Sequence, residues 1–246
     1  MTVELFRSDA YQVDCESTIV AVGENWIELD RTVFYPIGGG QPGDIGAIHL
    51  LSDNTVLDVT DTQKAADSDQ GIRHMVTAVP ASFAIGASVS ARLDWPRRHR
   101  LMRMHTCMHL LCAVIPGGVT GGSIRDGSAR LDFDLPDTLL DKELITDELN
   151  RLITADHPVE ARWISETELD AGPDLVRTMS VKPPRGQGQV RLLEIVGVDL
   201  QPCGGTHVAR TGEIGAVRVK KIEKKGKHNR RVNIVLLMQN RIPNVD

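Results

Sequence analysis

Apolar and polar residues alternate over about the first 90 positions in short runs separated by turn residues, which predicts β-strands. "STIVAVG" precedes the turn-like "GEN" and then "WIELD", while "GAIHLL" and "TVLDVT" flank "SDN", a predicted hairpin loop. "ASVSARLDW" closes the region, and the polar stretch "TQKAADSDQG" predicts an exposed loop. Short strands at this spacing favour a small β-barrel.

The period changes to that of a helix after Asp94-Trp95-Pro96. Asp94 is suited to the N-cap position and Pro96 to the first helical turn. The tripeptide "PGG" at 116–118 predicts the end of this helix. The apolar positions that recur every three or four residues along one face are Leu101, Met104, Met108, Leu111 and Ile115.

The rest of the chain mixes helix and strand patterns. A second helix is predicted from Asp137 to about Ala155, and "SETE" at 165–168 has the form of a capping box that opens a short helix. "VEARWIS", "VRLLEIV", "AVRVKKIE" and "RRVNIVLL" predict strands, the last two paired across "KKGKHN". The residues expected to face inward from the second helix are Leu140, Leu144, Leu149 and Ile153.

These patterns predict two domains. Residues 1–92 are expected to form the β-barrel domain, and residues 93–246 an α+β domain with an antiparallel sheet and helices. Charged residues make up 25% of the chain and apolar residues 41%, a composition typical of a soluble globular protein. The first ten residues lack the pattern of a signal peptide, and no apolar run is long enough to cross a membrane, which favours the cytoplasm.

The chemistry is concentrated in two pairs of residues, each four positions apart. His105 and His109 in "HTCMH" share one face of the first predicted helix, where one turn separates them. Cys203 and His207 in "PCGGTH" lie in a predicted tight turn. One thiolate and three imidazoles form a typical zinc ligand set, so we expect one zinc ion per chain.

The other two cysteines near these pairs have different expected positions. Cys107 lies roughly 200° around the helix from His105, so it is expected to point away from the metal. Cys112 stays close to the histidine face and is a possible additional ligand. The glutamate of an H-E-x-x-H metalloprotease is missing between the two histidines, which excludes that class.

Two basic runs flank the metal candidates in a chain whose net charge is −5. "RRHRLMR" at 97–103 holds four arginines, and residues 220–231 hold seven Lys or Arg residues against the single Glu223. Such runs are usually solvated surface, and the overall acidity weighs against a general nucleic-acid coat. Their position beside the metal candidates nevertheless favours contact with a polyanion.

At these motifs the chain resembles the editing domain of alanyl-tRNA synthetases and the free-standing AlaX editing proteins. "RRHRLMRMHTCMHLL" and "LQPCGGTHVARTGEIG" carry the two metal-ligand pairs of that family, and "GGSIRDGSARLDFDLP" and "KIEKKGKHNRRVNI" resemble its hairpin and closing strands. "FYPIGGGQPGDIGAI" at 34–48 resembles the glycine-rich segment of the longer AlaX type, although Ile37 replaces a residue that is often polar. The resemblance covers nearly the whole chain.

The resemblance implies a hydrolase that deacylates tRNA(Ala) mischarged with serine, and sometimes with glycine. Because no aminoacylation domain is evident, we expect it to act in trans and without ATP. Thr120 corresponds to a threonine that contacts the serine hydroxyl and is the expected catalytic-site residue. The expected pocket residues are Gly38, Gly39, Gly40 and Gln41. The expected tRNA contacts are Arg97, Arg98, Lys220, Lys224, Lys225, Arg230 and Arg231.

Two other functions remain open from the sequence. A threonyl-type editing module has the same paired motifs, although "QPCGGTH" and the glycine-rich segment favour the alanyl type. A zinc-dependent tRNA-binding protein without catalysis would also retain the four ligands. An assay of the deacylation of serylated tRNA(Ala), with and without a chelator, distinguishes both of these functions from that of an alanyl-type editing enzyme.

Overall fold

A computed structural model describes residues 2–66, 71–135, 139–172 and 188–237. The chain divides into two compact units, Met1–Leu101 and Met102–Asp246. In the part of the chain that the structure describes, no helix has the length and apolarity needed to cross a membrane. The predicted functional division at residues 92 and 93 stays a prediction.

The first unit consists mainly of antiparallel β structure. Its strands are β1 (Val3–Glu4), β2 (Asp14–Val22), β3 (Trp26–Leu29), β4 (Arg31–Thr32), β5 (Gly46–Leu50), β6 (Val56–Val59), β7 (Asp61–Lys64), β8 (Ile72–Met75) and β9 (Ser88–Leu93). Seven of them form one sheet in the order β6-β5-β9-β2-β3-β8-β7, while β1 and β4 form a separate parallel pair. The predicted hairpin across "SDN" is confirmed as β5 and β6.

The predicted small β-barrel is not confirmed. Among the described residues, β6 and β7 lie at opposite edges of the sheet and are not paired with each other. Only Thr60 separates these two strands, so the chain passes directly from one edge to the other and the sheet must curve. The loop predicted for "TQKAADSDQG" is wrong in its first part, because residues 62–64 belong to β7 and pair with β8; residues 67–70 lie outside the described residues.

The core of this unit contains one buried imidazole. His74 is fully buried on β8, where its Nδ1 lies 3.2 Å from the carbonyl oxygen of Ile27 and its Nε2 2.8 Å from Thr32 Oγ1. A carbonyl only accepts, so Nδ1 carries the proton and Nε2 accepts from the hydroxyl. Burial lowers the pKa of His74 from 6.5 to about 4. His74 is therefore neutral in the folded protein at neutral pH.

This neutral histidine predicts a loss of stability in mild acid. Between pH 6.5 and 4 the unfolded chain binds the proton and the folded chain does not, so the free energy of unfolding falls as the pH falls through that window. We expect His74 to contribute about 2 kcal/mol to the difference between pH 7 and pH 5. Urea unfolding of the wild type and of His74→Gln, each at pH 7 and pH 5 with a chelator present, measures this contribution. Equal pH dependence in the two proteins would contradict the prediction.

The second unit combines two antiparallel sheets with helices. The long helix α1 (Trp95–Val114) runs from the first unit into it. The elements that follow are β10 (Gly118–Arg125), β11 (Ser128–Asp134), α2 (Lys142–Thr154), β12 (Val159–Ser165), α3 (Glu166–Ala171), β13 (Gln189–Ile195), β14 (Asp199–Pro202), β15 (Val217–Lys225) and β16 (Asn229–Leu236). The sheets have the orders β10-β11-β16-β15 and β12-β13-β14. The predicted antiparallel α+β arrangement is confirmed.

Local signals in this unit have mixed outcomes. The Asp94 carboxylate accepts from the backbone N–H of Arg97 as predicted for an N-cap, and the Ser165–Glu168 capping box at α3 is present. The second helix begins later than predicted, at Lys142 with Asp141 as its N-cap. Position 137 lies outside the described residues. Leu144 is 67% exposed, so its predicted inward position is wrong; Ile145 is buried instead.

Candidate metal centre

Two histidines project from the same face of helix α1. His105 and His109 are both buried, and their ring centroids lie 5.6 Å apart, as expected for residues one turn apart on a helix. The helix is buried around much of its circumference here, because Met104, Cys107 and Leu110 are also inaccessible. The two imidazoles are therefore held in a site largely screened from solvent.

The second pair follows a strand that sequence patterns did not predict. β14 ends at Pro202, and the chain then turns through Cys203 to His207. Arg191 on β13 holds this turn by donating from Nη1 to the carbonyl oxygens of Cys203, at 2.9 Å, and Gly205, at 3.1 Å. The Gly205 N–H also lies 3.5 Å from Cys203 Sγ. The sheet thus fixes the direction of the thiol.

Together the two pairs form a cluster that could hold one metal ion. The ligand atoms of His105, His109, Cys203 and His207 all lie within 4.8 Å of one another. Cys203 Sγ is 3.2 Å from His207 Nε2 and 3.5 Å from His105 Nε2. Tetrahedral zinc with ordinary bond lengths requires ligand separations of roughly 3.3–3.6 Å. The donor set therefore suits the expected ion, and the two separations measured from Cys203 Sγ lie close to the tetrahedral values.

Electrostatics in the cluster suit a thiolate. Burial alone would raise the pKa of Cys203, but the charges of His105 and His207 outweigh it and hold the pKa well below its usual value. Burial likewise opposes protonation of His109, yet the hydrogen bonds that its ring donates to Asp199 and Cys203 raise the pKa of His109 to about 9. A divalent cation would replace that proton, so metal binding at this site is expected to release protons.

Cys107 lies outside the cluster. It is fully buried, and burial raises its pKa to about 12, so it remains a neutral thiol rather than a metal-binding thiolate. Cys112 is also buried, and the cluster found among the described residues does not include it. The helical position of Cys107 explains why it lies outside the cluster, because only one face of α1 meets the Cys203 turn.

Sequence reasoning missed the polar residues behind the histidines. Thr106 Oγ1 lies 3.2 Å from His207 Nδ1, and Asp199 Oδ2 lies 3.1 Å from His109 Nδ1. Gln201 donates to the same carboxylate oxygen at 2.7 Å. A metal-binding histidine usually has such a partner on its other nitrogen. That rule signals that partners exist, but their positions in the chain depend on the fold.

Thr120 lies in a strand rather than in a loop. It is the extra residue at the β-bulge of β10, where the register with β11 shifts between Val119 and Gly121. Its half-buried hydroxyl lies 3.1 Å from Asn229 Oδ1 and 3.2 Å from the carbonyl oxygen of Asp132. A bulge redirects a side chain out of the regular alternation of a strand. Asn229 is thus a neighbour of the predicted recognition residue.

The predicted pocket glycines form a tight turn in the first unit. Gly38 and Gln41 exchange two backbone hydrogen bonds, of 3.1 and 2.9 Å, around Gly39 and Gly40. Both central glycines have positive φ, 57° and 83°, the pattern of a type I′ turn that favours glycine. The side chain of Gln41 is buried, whereas Ile37 before the turn is 53% exposed. Backbone conformation alone therefore accounts for Gly39 and Gly40.

One predicted tRNA contact is wrong. Arg98 is completely buried in the first unit, where its guanidinium pairs with Asp44 and donates to the carbonyl oxygens of Val33 and Ala10. A phosphate cannot reach this group without breaking a buried ion pair, which costs several kcal/mol. The neighbouring Arg97 is half-buried and donates to the carbonyl of Gly43. Arg98 therefore holds the first unit together instead.

The basic residues of the last hairpin differ in their surroundings. Lys220, Lys224 and Lys225 on β15 are exposed, and Lys225 lies 3.5 Å from Glu223. Arg230 and Arg231 on β16 are half-buried. Arg231 makes two hydrogen bonds to Asp132, at 2.7 and 2.8 Å, which holds it against β11. The exposed lysines are therefore better suited than Arg231 to contact a polyanion.

Two sequence families match the two parts of the chain. Residues 190–233 match the threonyl and alanyl tRNA synthetase second additional domain, the segment that contains Cys203, His207 and the last hairpin. Residues 5–97 match the class II (A) tRNA synthetases. The chain is thus similar, in both of its parts, to domains of class II tRNA synthetases.

Full-length relatives narrow this class. The chain is 34% identical to the alanyl-tRNA editing protein AlaX-M of Methanosarcina acetivorans, with 96% of this chain and 100% of the relative covered. It is also 34% identical to AlaX-M of Saccharolobus solfataricus, over 94% and 98% of the two chains. An alanine–tRNA ligase of Saccharolobus islandicus is equally similar over 91% of this chain but only 25% of its own length. The chain belongs to the AlaX-M family of alanyl-tRNA editing proteins, which are deacylating hydrolases.

Proposed function

We propose that the protein hydrolyses, in trans, the ester between serine and the terminal ribose of tRNA(Ala). The cluster of His105, His109, Cys203 and His207 carries this proposal, because it is a complete zinc ligand set in a chain of an editing family. The products are free serine and tRNA with its terminal hydroxyl restored. Aminoacylated tRNA is used where translation takes place, so we propose that the enzyme acts in the cytoplasm.

The need for such an enzyme follows from the chemistry of alanine selection. A pocket built for alanine rejects the additional hydroxyl of serine only about a hundredfold. A second site that hydrolyses the wrong product is the usual remedy. In the proposed domain, residues 93–246, Thr120 would accept a hydrogen bond from that hydroxyl or donate one to it. In the structure, the hydroxyl of Thr120 donates to Asn229 Oδ1. Glycyl-tRNA(Ala), which lacks the hydroxyl, would be a secondary substrate.

The four ligands would hold one zinc ion. When bound, zinc supplies a Lewis acid that can position the aminoacyl group, polarise its carbonyl or activate water. The chain's own contribution is a buried site, in which His109 is hydrogen-bonded to Asp199 and Cys203 is kept as a thiolate by its imidazole neighbours. Gly38, Gly39, Gly40 and Gln41 are retained as proposed pocket residues on the family resemblance.

A deacylation assay tests this function. We expect the protein to release serine from seryl-tRNA(Ala) much faster than alanine from alanyl-tRNA(Ala), and a chelator to stop the reaction. Returning zinc should restore it. Binding of tRNA(Ala) without deacylation would instead identify a zinc-dependent binding protein. Faster release of serine from seryl-tRNA(Thr) than from seryl-tRNA(Ala) would contradict the alanyl assignment.

The exposed lysines of β15 predict a salt-dependent interaction with the acceptor arm. Lys220 and Lys224 make no ion pair with any described residue, and Lys225 lies beside Glu223 at the surface. Because neutralising a phosphate releases counterions, replacing Lys224 and Lys225 by Ala should weaken tRNA binding and reduce the salt slope by roughly one unit for each phosphate that is no longer neutralised. The proposed tRNA contacts also include Arg97, Arg230 and Arg231, which already make hydrogen bonds within the protein.

Binding of tRNA(Ala) at several salt concentrations measures this slope. Lys64→Ala is a matched control, since it removes an exposed lysine from β7 in the first unit. An unchanged slope in the Lys224→Ala, Lys225→Ala double variant would mean that these lysines are ordinary solvated surface.

A further inference from the structure

Two residues that are not ligands contact the cluster from behind. The side chain of Asp199 is fully inaccessible, and its Oδ2 lies 3.1 Å from His109 Nδ1. The same oxygen accepts a hydrogen bond of 2.7 Å from Gln201 Nε2. An ionised carboxylate only accepts hydrogen bonds, so Nδ1 of His109 must carry the proton. When a metal ion replaces the proton on the remaining nitrogen, Nε2, that atom presents its lone pair to the ion.

Thr106 acts in the same way on His207, with a hydroxyl instead of a carboxylate. Its Oγ1 donates to the carbonyl oxygen of Met102, one turn earlier in α1, at 3.0 Å. A hydroxyl has only one proton, so toward His207 Nδ1, 3.2 Å away, the oxygen must act as acceptor. His207 Nε2 is thereby left as the ligand atom, and it lies 3.2 Å from Cys203 Sγ.

We propose that Asp199 and Thr106 are positioning residues that fix His109 and His207 in the tautomer with the proton on Nδ1 and Nε2 directed to the metal. This proposal rests on the proposed zinc site. The two residues come from different elements, Thr106 from α1 and Asp199 from the start of β14. One histidine of each ligand pair is therefore held by a residue from the segment that carries the other pair or leads directly into it. Asp199 also brings a negative charge to His109, which makes the imidazole a stronger ligand.

The tautomers can be read directly in the wild-type protein. Nitrogen-15 NMR of the histidine side chains, in the zinc-loaded protein, should show the proton on Nδ1 for both His109 and His207. A proton on Nε2 of either residue would overturn the proposal for that residue. This measurement requires no variant, so it decides the question even if a substitution impairs folding.

Matched variants measure the size of the effect. We expect Asp199→Ala and Thr106→Val each to weaken zinc binding by about 10- to 100-fold, measured by competition with a chromophoric chelator. Thr106→Ser retains the hydroxyl and should bind zinc within a few-fold of the wild type. Asp199→Asn retains an acceptor oxygen but loses the charge, so its affinity should lie between those of Asp199→Ala and the wild type.

The outcomes separate this inference from the function on which it depends. If the wild type binds no zinc, the proposed metal centre itself fails. If the wild type binds one zinc ion and Cys203→Ala does not, but Asp199→Ala and Thr106→Val bind zinc as tightly as the wild type, only the positioning roles fail. Cobalt substitution gives a further check, since a disturbed ligand geometry changes the visible absorption spectrum of the bound ion.

Discussion

Replacing Cys203 by Ala is expected to weaken zinc binding by about a hundred- to a thousandfold and to abolish deacylation, whereas replacing Cys107 by Ala leaves both in place. Cys203 provides the only sulfur of the four-residue cluster, and its pKa is held well below its usual value. Structural zinc sites contribute about 10–16 kcal/mol, so an equal share per ligand is roughly 2.5–4 kcal/mol. That share corresponds to about a hundred- to a thousandfold loss of affinity.

Cys107→Ala is the matched control, because it removes a thiol from the same helix as two of the ligands. Cys107 is buried on another side of α1, and its pKa is raised to about 12. We expect this variant to lose some stability through a small cavity but to keep one zinc ion per chain. Metal analysis of both purified variants decides the matter: similar zinc loss in the two would overturn the assignment of helix faces.

Replacing Thr120 by Val is expected to narrow the ratio between seryl- and alanyl-tRNA deacylation about tenfold to a hundredfold. The two substrates differ by one hydroxyl, and a site that hydrogen-bonds this group can reject the analogue lacking it by up to about 10⁵. Losing one such hydrogen bond costs roughly 1–3 kcal/mol. Valine preserves the shape of threonine, so the change isolates the hydroxyl.

The structure supplies controls for this variant. Thr120→Ser keeps a hydroxyl near Asn229 and should retain most of the discrimination, while zinc content and tRNA binding should be normal in both variants. Single-turnover deacylation of both substrates gives the ratio. An unchanged ratio in Thr120→Val would place the discriminating group elsewhere, with Ser123 or the turn at Gly39 and Gly40 as the next residues to replace.

Local features of the fold were predictable because they depend on residues close together in the chain. The Asp94 cap, the Ser165–Glu168 capping box and the hairpin between β15 and β16 are each decided within a few positions. The pairing of His105 with His109 follows from helix geometry alone. Zinc chemistry then linked this pair to Cys203 and His207, which the fold brings within 4.8 Å.

Errors arose where burial decides between residues of the same type. Arg98 and Arg97 are adjacent in a basic run, but only Arg98 is completely buried against Asp44, 54 positions away. Leu144 has the expected helical spacing, yet it faces solvent because the packed face of α2 is centred on Ile145 and Leu149. Charge and periodicity do not reveal which side of an element the rest of the chain covers.

The sequence by itself determined the four candidate metal ligands, the helix that carries two of them and the family to which the chain belongs. Only the tertiary structure decided which residues support those ligands. Thr106 and His207 are 101 positions apart and Asp199 lies 90 positions from His109, yet each pair forms a buried hydrogen bond. Such hydrogen bonds depend on how α1, β13 and β14 pack together. No local pattern encodes that packing, because a hydrogen-bond acceptor can come from any part of the chain that the fold brings near.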